Sequence, residues 1–185
     1  MSISETSPTA PSLSQEPSIW QWTATFVSLA ALAGSLYLSI GMNLKACPLC
    51  YYQRTFVMGV VAILVVGLFI KDLRPSIATL LALPLAVAAL AVAGYHEYLV
   101  QTGALECPNG ILALGTAPQQ SLLVLGILTI LLIVDQLRQH ALTALVASVV
   151  LGALLAFSGI MSSGRACPDY NLPLDEDMCR PLKKS

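Results

Sequence analysis

The chain has 185 residues, of which 56% are hydrophobic and 10% charged, and its formal net charge is -1. A mean hydropathy of +0.77 excludes an ordinary soluble domain, and the near-even charge balance offers no basic surface for nucleic acid. An integral membrane protein is what remains.

Residues 1–18 are Ser, Thr, Pro and Glu with few large apolar groups, which reads as a disordered N-terminal tail. They lack the basic n-region of a cleaved signal peptide, so the apolar run behind them is a retained first span. Five runs, over 20–42, 51–70, 76–98, 120–137 and 141–161, are each long enough to cross a hydrocarbon core of ~30 Å. Trp20 and Trp22 suit an interfacial belt. Pro84 is expected to kink the third span, and Gly34, Gly59, Gly94, Gly126 and Gly152 to allow close helix contact. Only a helix satisfies its own backbone groups in lipid. The expected fold is therefore an all-α membrane protein: a four-helix transmembrane bundle plus a fifth transmembrane helix. Residues 19–161 form the membrane domain and 162–185 an extracytoplasmic, cysteine-containing tail.

Alternation of five spans puts residues 43–50, the loop 99–119 and the tail on one side, and with them all five cysteines. An odd number cannot all be paired at once. Charges close to the membrane ends, Lys71, Arg74 and Arg138 against Lys45 and Arg165, are too even to orient the chain. Thiol chemistry decides instead, because it suits an oxidising compartment outside the cytoplasm.

The chemistry-bearing motif is Cys47-Pro48-Leu49-Cys50-Tyr51-Tyr52-Gln53-Arg54. Proline suits the first helical position, which makes Cys47 the N-cap and puts Cys50 in the first turn. The partial positive charge of a helix N-terminus stabilises a thiolate. Arg54 follows Cys50 by four residues and Cys47 by seven, so the three share a face. That spacing predicts a redox pair in which Cys50 is the stabilised thiolate and leaving group. A closed zinc site needs two further ligands, and the other cysteines show no second close pair. A haem attachment needs histidine where Tyr51 stands. A bilayer quinone fits as electron acceptor, and no Gly-x-Gly-x-x-Gly fingerprint offers a competing one. His96 and Glu97 read chiefly as a polar helix end between Tyr95 and Tyr98, with His96 the lesser candidate for a cofactor pocket. Asp135 and Arg138 read as a solvated helix end.

This motif resembles that of the bacterial disulfide bond formation protein B (DsbB/BdbC-type) family. Gly94-Tyr95-His96-Glu97-Tyr98-Leu99-Val100-Gln101 is similar to the family's third-span end, and Cys107 followed by Pro118-Gln119 to its second loop and fourth-span entry. The resemblance covers about residues 20–137. It implies a multi-pass protein of the bacterial inner membrane whose cysteines face the periplasm. Such a protein reoxidises a soluble, DsbA-like thioredoxin-fold thiol oxidase and passes the electrons to ubiquinone or menaquinone. It further implies that Cys50 lies next to the quinone, that Arg54 holds and polarises it, and that Cys107 links transiently to Cys47.

The chain departs from the family in having one loop cysteine rather than two, and in its fifth span and tail. Cys167 and Cys179 of the tail are expected to supply the missing thiols. Loop-closure entropy favours a Cys167–Cys179 ring over Cys107–Cys167 by about 1.4 kcal/mol, so the expected resting bridge is Cys167–Cys179, with Cys107 as a relay. The competing class is a non-catalytic membrane scaffold stapled by disulfides, or a metal-handling protein.

Overall fold

The computed structural model describes residues 18–43, 46–70, 75–107, 109–111, 115–139, 142–163 and 180–181. Of the tail expected over residues 1–18 all but Ser18 lies outside them, as do Cys167 and Cys179. Among the described residues five helices carry the fold: α1 (Ile19–Ile40), α2 (Pro48–Phe69), α3 (Pro75–Gln101), α4 (Ala117–Arg138) and α5 (Leu142–Ser163). All five are long and apolar enough to cross a membrane, as the sequence predicts, and the protein is a multi-pass helical membrane protein. Their outward residues, Phe26, Phe69, Ile130 and Phe157 among them, are exposed, as befits side chains that meet lipid.

The helix starts follow from local chemistry. Ser18 caps α1, its hydroxyl accepting from the Gln21 N–H. Cys47 caps α2, with Pro48 in the first helical position. At α4 the Gln119 Oε1 accepts from the Thr116 N–H. Helix α3 ends where Gly103 takes a φ of 70°, which lets the Ala104 N–H reach back to the Leu99 carbonyl. Pro84 is carried inside α3, which continues through it.

Helix α3 is the most buried of the five, packing against α2, α4 and α5, while α1 closes the bundle against α2 and α4. The core holds Val60, Leu64, Leu83, Leu128 and Leu132 among small residues of α3 such as Ala86, Ala89 and Ala93. Two of the five expected glycine contacts are tight. A Cβ at Gly152 would lie 2.7 Å from the Pro84 carbonyl oxygen and from the Val87 Cβ, and one at Gly59 would lie 2.8 Å from the Leu85 Cδ1. Gly126 has nothing within 4 Å of such a Cβ, so its expected role in close packing does not hold.

Two features position the chemistry. The α3–α4 loop folds back on itself: the Gly110 N–H donates to the Gly115 carbonyl, and the Gln120 side chain both accepts from the Ile111 N–H and donates to its carbonyl. Two short strands, β1 (Leu105–Glu106) and β2 (Arg180–Pro181), then pair antiparallel, Leu105 opposite Pro181 and Glu106 opposite Arg180. The tail thus returns to the loop that follows α3.

At the opposite end of the bundle Asp135 is 3% exposed, which corrects the solvated end expected there. Its carboxylate accepts from the Ser18 hydroxyl, the Thr79 hydroxyl and the Gln139 amide, joining α1, α3 and α4. Arg138 lies over the Trp20 ring, 4.8 Å from its centroid.

Gly152→Leu is expected to force α5 away from α3 at Pro84 and to destabilise the protein in detergent by about 1–3 kcal/mol, the usual cost of overpacking. Gly126→Ala is expected to leave the same thermal transition unmoved. Equal transitions for the two variants would show that α5 does not depend on that approach.

Candidate active site

The start of α2 brings the two motif cysteines together. Cys47 accepts the Cys50 N–H at 3.4 Å, and the two Sγ atoms lie 3.0 Å apart in hydrogen-bond contact. Both are free thiols. Beside them sits His96 of α3, 1% exposed. Its Nε2 is 3.8 Å from the Cys47 Sγ, and its Nδ1 is 4.0 Å from the Cys50 Sγ. On its loop side the same Nε2 is 3.5 Å from the Cys107 Sγ. Cys107 itself is in a disulfide, which corrects its expected place as a free relay thiol.

His96 is therefore no polar helix end facing the interface, as the sequence suggested. It reaches the motif pair and Cys107 alike. Glu97 is buried as well, its Oε1 accepting from Gln101 and Gln119. No spacing rule could have found the imidazole, because 49 residues separate it from Cys47.

Cys47 is the sulfur whose acidity this arrangement raises. The hydrogen bond from the Cys50 thiol, then the hydrogen bond and charge of His96 and the Cys50 N–H, hold it well below the usual thiol range, against burial, which pushes it up. The sequence assigned the stabilised thiolate to Cys50. The N-cap position is Cys47's, however, and it is the capping atom that receives the backbone N–H.

Cys50, Gln53, Arg54 and Val57, at i, i+3, i+4 and i+7 along α2, line a cavity of about 270 Å³. Its other walls include Ala30 and Gly34 of α1 and Val124 and Leu125 of α4, and His96 reaches it from α3. Ile111, held by Gln120, covers it from the loop and lies 3.7 Å from where a Gly34 Cβ would be. Arg54 is placed by α1: its Nε donates to the Ser35 hydroxyl at 3.1 Å and its Nη2 to the Ser35 carbonyl at 2.9 Å and to the Ser39 hydroxyl. An arginine within a span costs about 2.5–3.5 kcal/mol by insertion scales. Hydrogen bonds to α1 offset part of this cost.

Gln53 is what sequence reasoning missed. It is 7% exposed, it lines the cavity, and its Nε2 has no hydrogen-bond partner. The available signal was an amide one turn after Cys50, on the helix face that carries Cys50 and Arg54.

Comparison with known proteins bears on the same region. A profile of the family described as "Disulfide bond formation protein DsbB" matches residues 17–122. The chain is 32% identical over 120 residues to a "Probable disulfide formation protein" of Chlamydia muridarum, covering 60% of this chain and 87% of the relative. It is 37% identical over 76 residues to the "SPbeta prophage-derived disulfide bond formation protein B" of Bacillus subtilis, covering 41% and 49%. It is 32% identical over 104 residues to the "Disulfide bond formation protein B" of Herminiimonas arsenicoxydans, covering 55% and 66%. No solved structure matches. The profile match ends within α4, so α5 and β2 lie beyond it.

Donors around Cys47 favour its thiolate and lower its pKa, so removing one must raise it. After full reduction, Cys47 is expected to be alkylated by iodoacetamide at a pH where ordinary thiols are still protonated. His96→Ala should move that midpoint upwards. A midpoint that stays put on loss of the imidazole would show that His96 does not act on the cysteine.

Proposed function

The chain belongs to the disulfide bond formation protein DsbB family, and from that membership we propose that it is a quinone-linked membrane thiol oxidoreductase. It takes electrons from a soluble dithiol oxidase of the thioredoxin fold on the periplasmic side of a bacterial inner membrane and delivers them to a membrane quinone. The observation that carries this is the contiguity of three parts: a disulfide sulfur at Cys107, a thiol pair at Cys47 and Cys50, and an apolar cavity opening beside Cys50.

The cavity suits a quinone head group. Its walls are mostly apolar, it has the scale of a small-ligand pocket, and the unpartnered Gln53 Nε2 can donate to a carbonyl oxygen. Arg54, fixed by Ser35 and Ser39, supplies positive charge at the same wall, and His96 a group able to carry a proton. Bound there, a quinone would accept two electrons and two protons from the thiol pair. The chain's own residues do the rest. Cys47 is the sulfur that exchanges with Cys107, Cys50 faces the cavity, and Ile111 keeps water from it. His96, against Cys47 and Cys107 through one nitrogen, can pass a proton between the sulfur that leaves and the sulfur that attacks.

A metal-handling reading has one observation in its favour. The donor atoms of Cys47, Cys50 and His96 all lie within 4.8 Å of one another. Two sulfurs on a tetrahedral zinc at about 2.3 Å each stand about 3.8 Å apart, whereas these are 3.0 Å apart. The nearby sulfur that could complete a closed set, Cys107, is already bonded.

Cys47→Ser and Cys50→Ser should each abolish quinone reduction driven by dithiothreitol while the protein stays folded. Gln53→Leu should raise the KM for quinone up to about tenfold with kcat little changed, since one neutral hydrogen bond is worth about 0.5–1.5 kcal/mol. Turnover retained by either serine variant sinks the oxidoreductase, and stoichiometric zinc in the purified protein would favour the metal reading.

A further inference from the structure

Cys107 is disulfide-bonded, and the chain has five cysteines. Cys47 and Cys50 are free, so the partner is Cys167 or Cys179. The β1–β2 ladder distinguishes the two. It sets Leu105 opposite Pro181 and Glu106 opposite Arg180, so one more step in the same register sets residue 107 opposite residue 179. Directly opposed residues of an antiparallel ladder have Cα atoms about 4.5 or 5.5 Å apart, inside the roughly 4.4–6.8 Å that a disulfide spans. Cys167 lies twelve residues earlier, where the ladder gives it no such register.

We infer that Cys107 is bonded to Cys179, and that this bridge between the α3–α4 loop and the C-terminal tail is the disulfide attacked by the soluble dithiol. The role rests on the oxidoreductase reading above; the pairing does not. Cys167 is then the odd cysteine. Cys107 Sγ lies against the same His96 Nε2 that approaches Cys47, so Cys107 is assigned the inward exchange and Cys179 the attack by the soluble thiolate. That attack breaks the Cys107–Cys179 bond, forms a mixed disulfide at Cys179 and releases Cys107 as a thiolate beside His96. The partner's second thiol displaces Cys179 and leaves with its own disulfide formed. Cys107 then attacks Cys47 of an oxidised Cys47–Cys50 pair, and Cys50 departs. Cys179 resolves the Cys47–Cys107 link, restoring the bridge and leaving Cys47 and Cys50 as a dithiol. Two electrons and two protons have moved inward, and a membrane quinone removes them.

The test is a disulfide map of the full-length protein purified in detergent, its free thiols blocked with N-ethylmaleimide before non-reducing digestion. Cys167 and Cys179 share one tryptic peptide, so the digest must also cut at the aspartates between them, Asp169, Asp175 and Asp177. The expected result is a Cys107–Cys179 cross-link with Cys167 alkylated. A Cys107–Cys167 or Cys167–Cys179 peptide overturns the pairing. In turnover, Cys179→Ser should stop oxidation of a reduced thioredoxin-fold oxidase, whereas Cys167→Ser should leave it running. Protein oxidation that survives Cys179→Ser but is lost in Cys167→Ser overturns the role as well. Wild type that reduces no quinone from dithiothreitol defeats the underlying reading and the exchange role with it, while the map still decides the pairing.

Discussion

An imidazole buried at the end of an apolar bundle must find polar partners within the protein, and His96 finds sulfurs. Its Nε2 is within reach of both Cys47 and Cys107, and its Nδ1 approaches Cys50. The other contacts at this end depend on that placement. Helix α3 must run on to Gln101 to hold the ring there, the loop after it must turn back at Gly103, and α2 must begin at Pro48 so that its cap is a sulfur. Shifting α2 by one residue would rotate Cys50 and Arg54 by about 100° and take both from the cavity wall.

Lipid gives the helices little reason to choose one rotation over another, because the hydrocarbon is as apolar as their own side chains. Here two polar clamps on α1 make the choice. At one end Ser18 donates to Asp135 of α4, which Thr79 of α3 also holds. At the other, Ser35 and Ser39 hold Arg54 of α2. Each interhelical hydrogen bond of this kind averages about 0.6 kcal/mol and reaches about 1–2 kcal/mol in model peptides, so the clamps contribute modestly to stability. Their larger effect is on register. With both ends of α1 fixed, its small residues Ala30 and Gly34 face α4 and leave the cavity open.

Helix number, helix type and the α2 cap were all legible in the sequence, because hydropathy, the proline rule and the four-residue rise act locally. What depended on distant residues was not. His96 and Glu97 were read chiefly as a polar helix end and Asp135 as a solvated one because each falls near the end of an apolar run, yet packing by neighbouring helices buries all three. Gln53 was passed over because an amide beside an arginine draws no notice until the cavity next to it is seen. The preference for a Cys167–Cys179 ring came from counting residues along a free chain. Once helices return the chain to the same end of the bundle, that entropy difference of about 1.4 kcal/mol no longer decides the pairing.

Helix α5 and the strand after it lie beyond the residues matched by the family profile, and the structure gives them a use. Helix α5 packs chiefly on α3, the helix that carries His96, and the tight approach at Gly152 fixes it against Pro84. Its other end, at Ser163, starts the tail whose residues 180–181 meet the β1 strand beside Cys107. A bridge confined to the α3–α4 loop would need a second cysteine there, and that loop has only Cys107. A tail carried by a further membrane helix removes that requirement, because the helix, rather than the loop, sets where the chain re-enters. The two-residue ladder is too short to hold the tail by itself. The inferred bridge at Cys107, the residue after β1, adds the covalent hold that a two-residue ladder lacks.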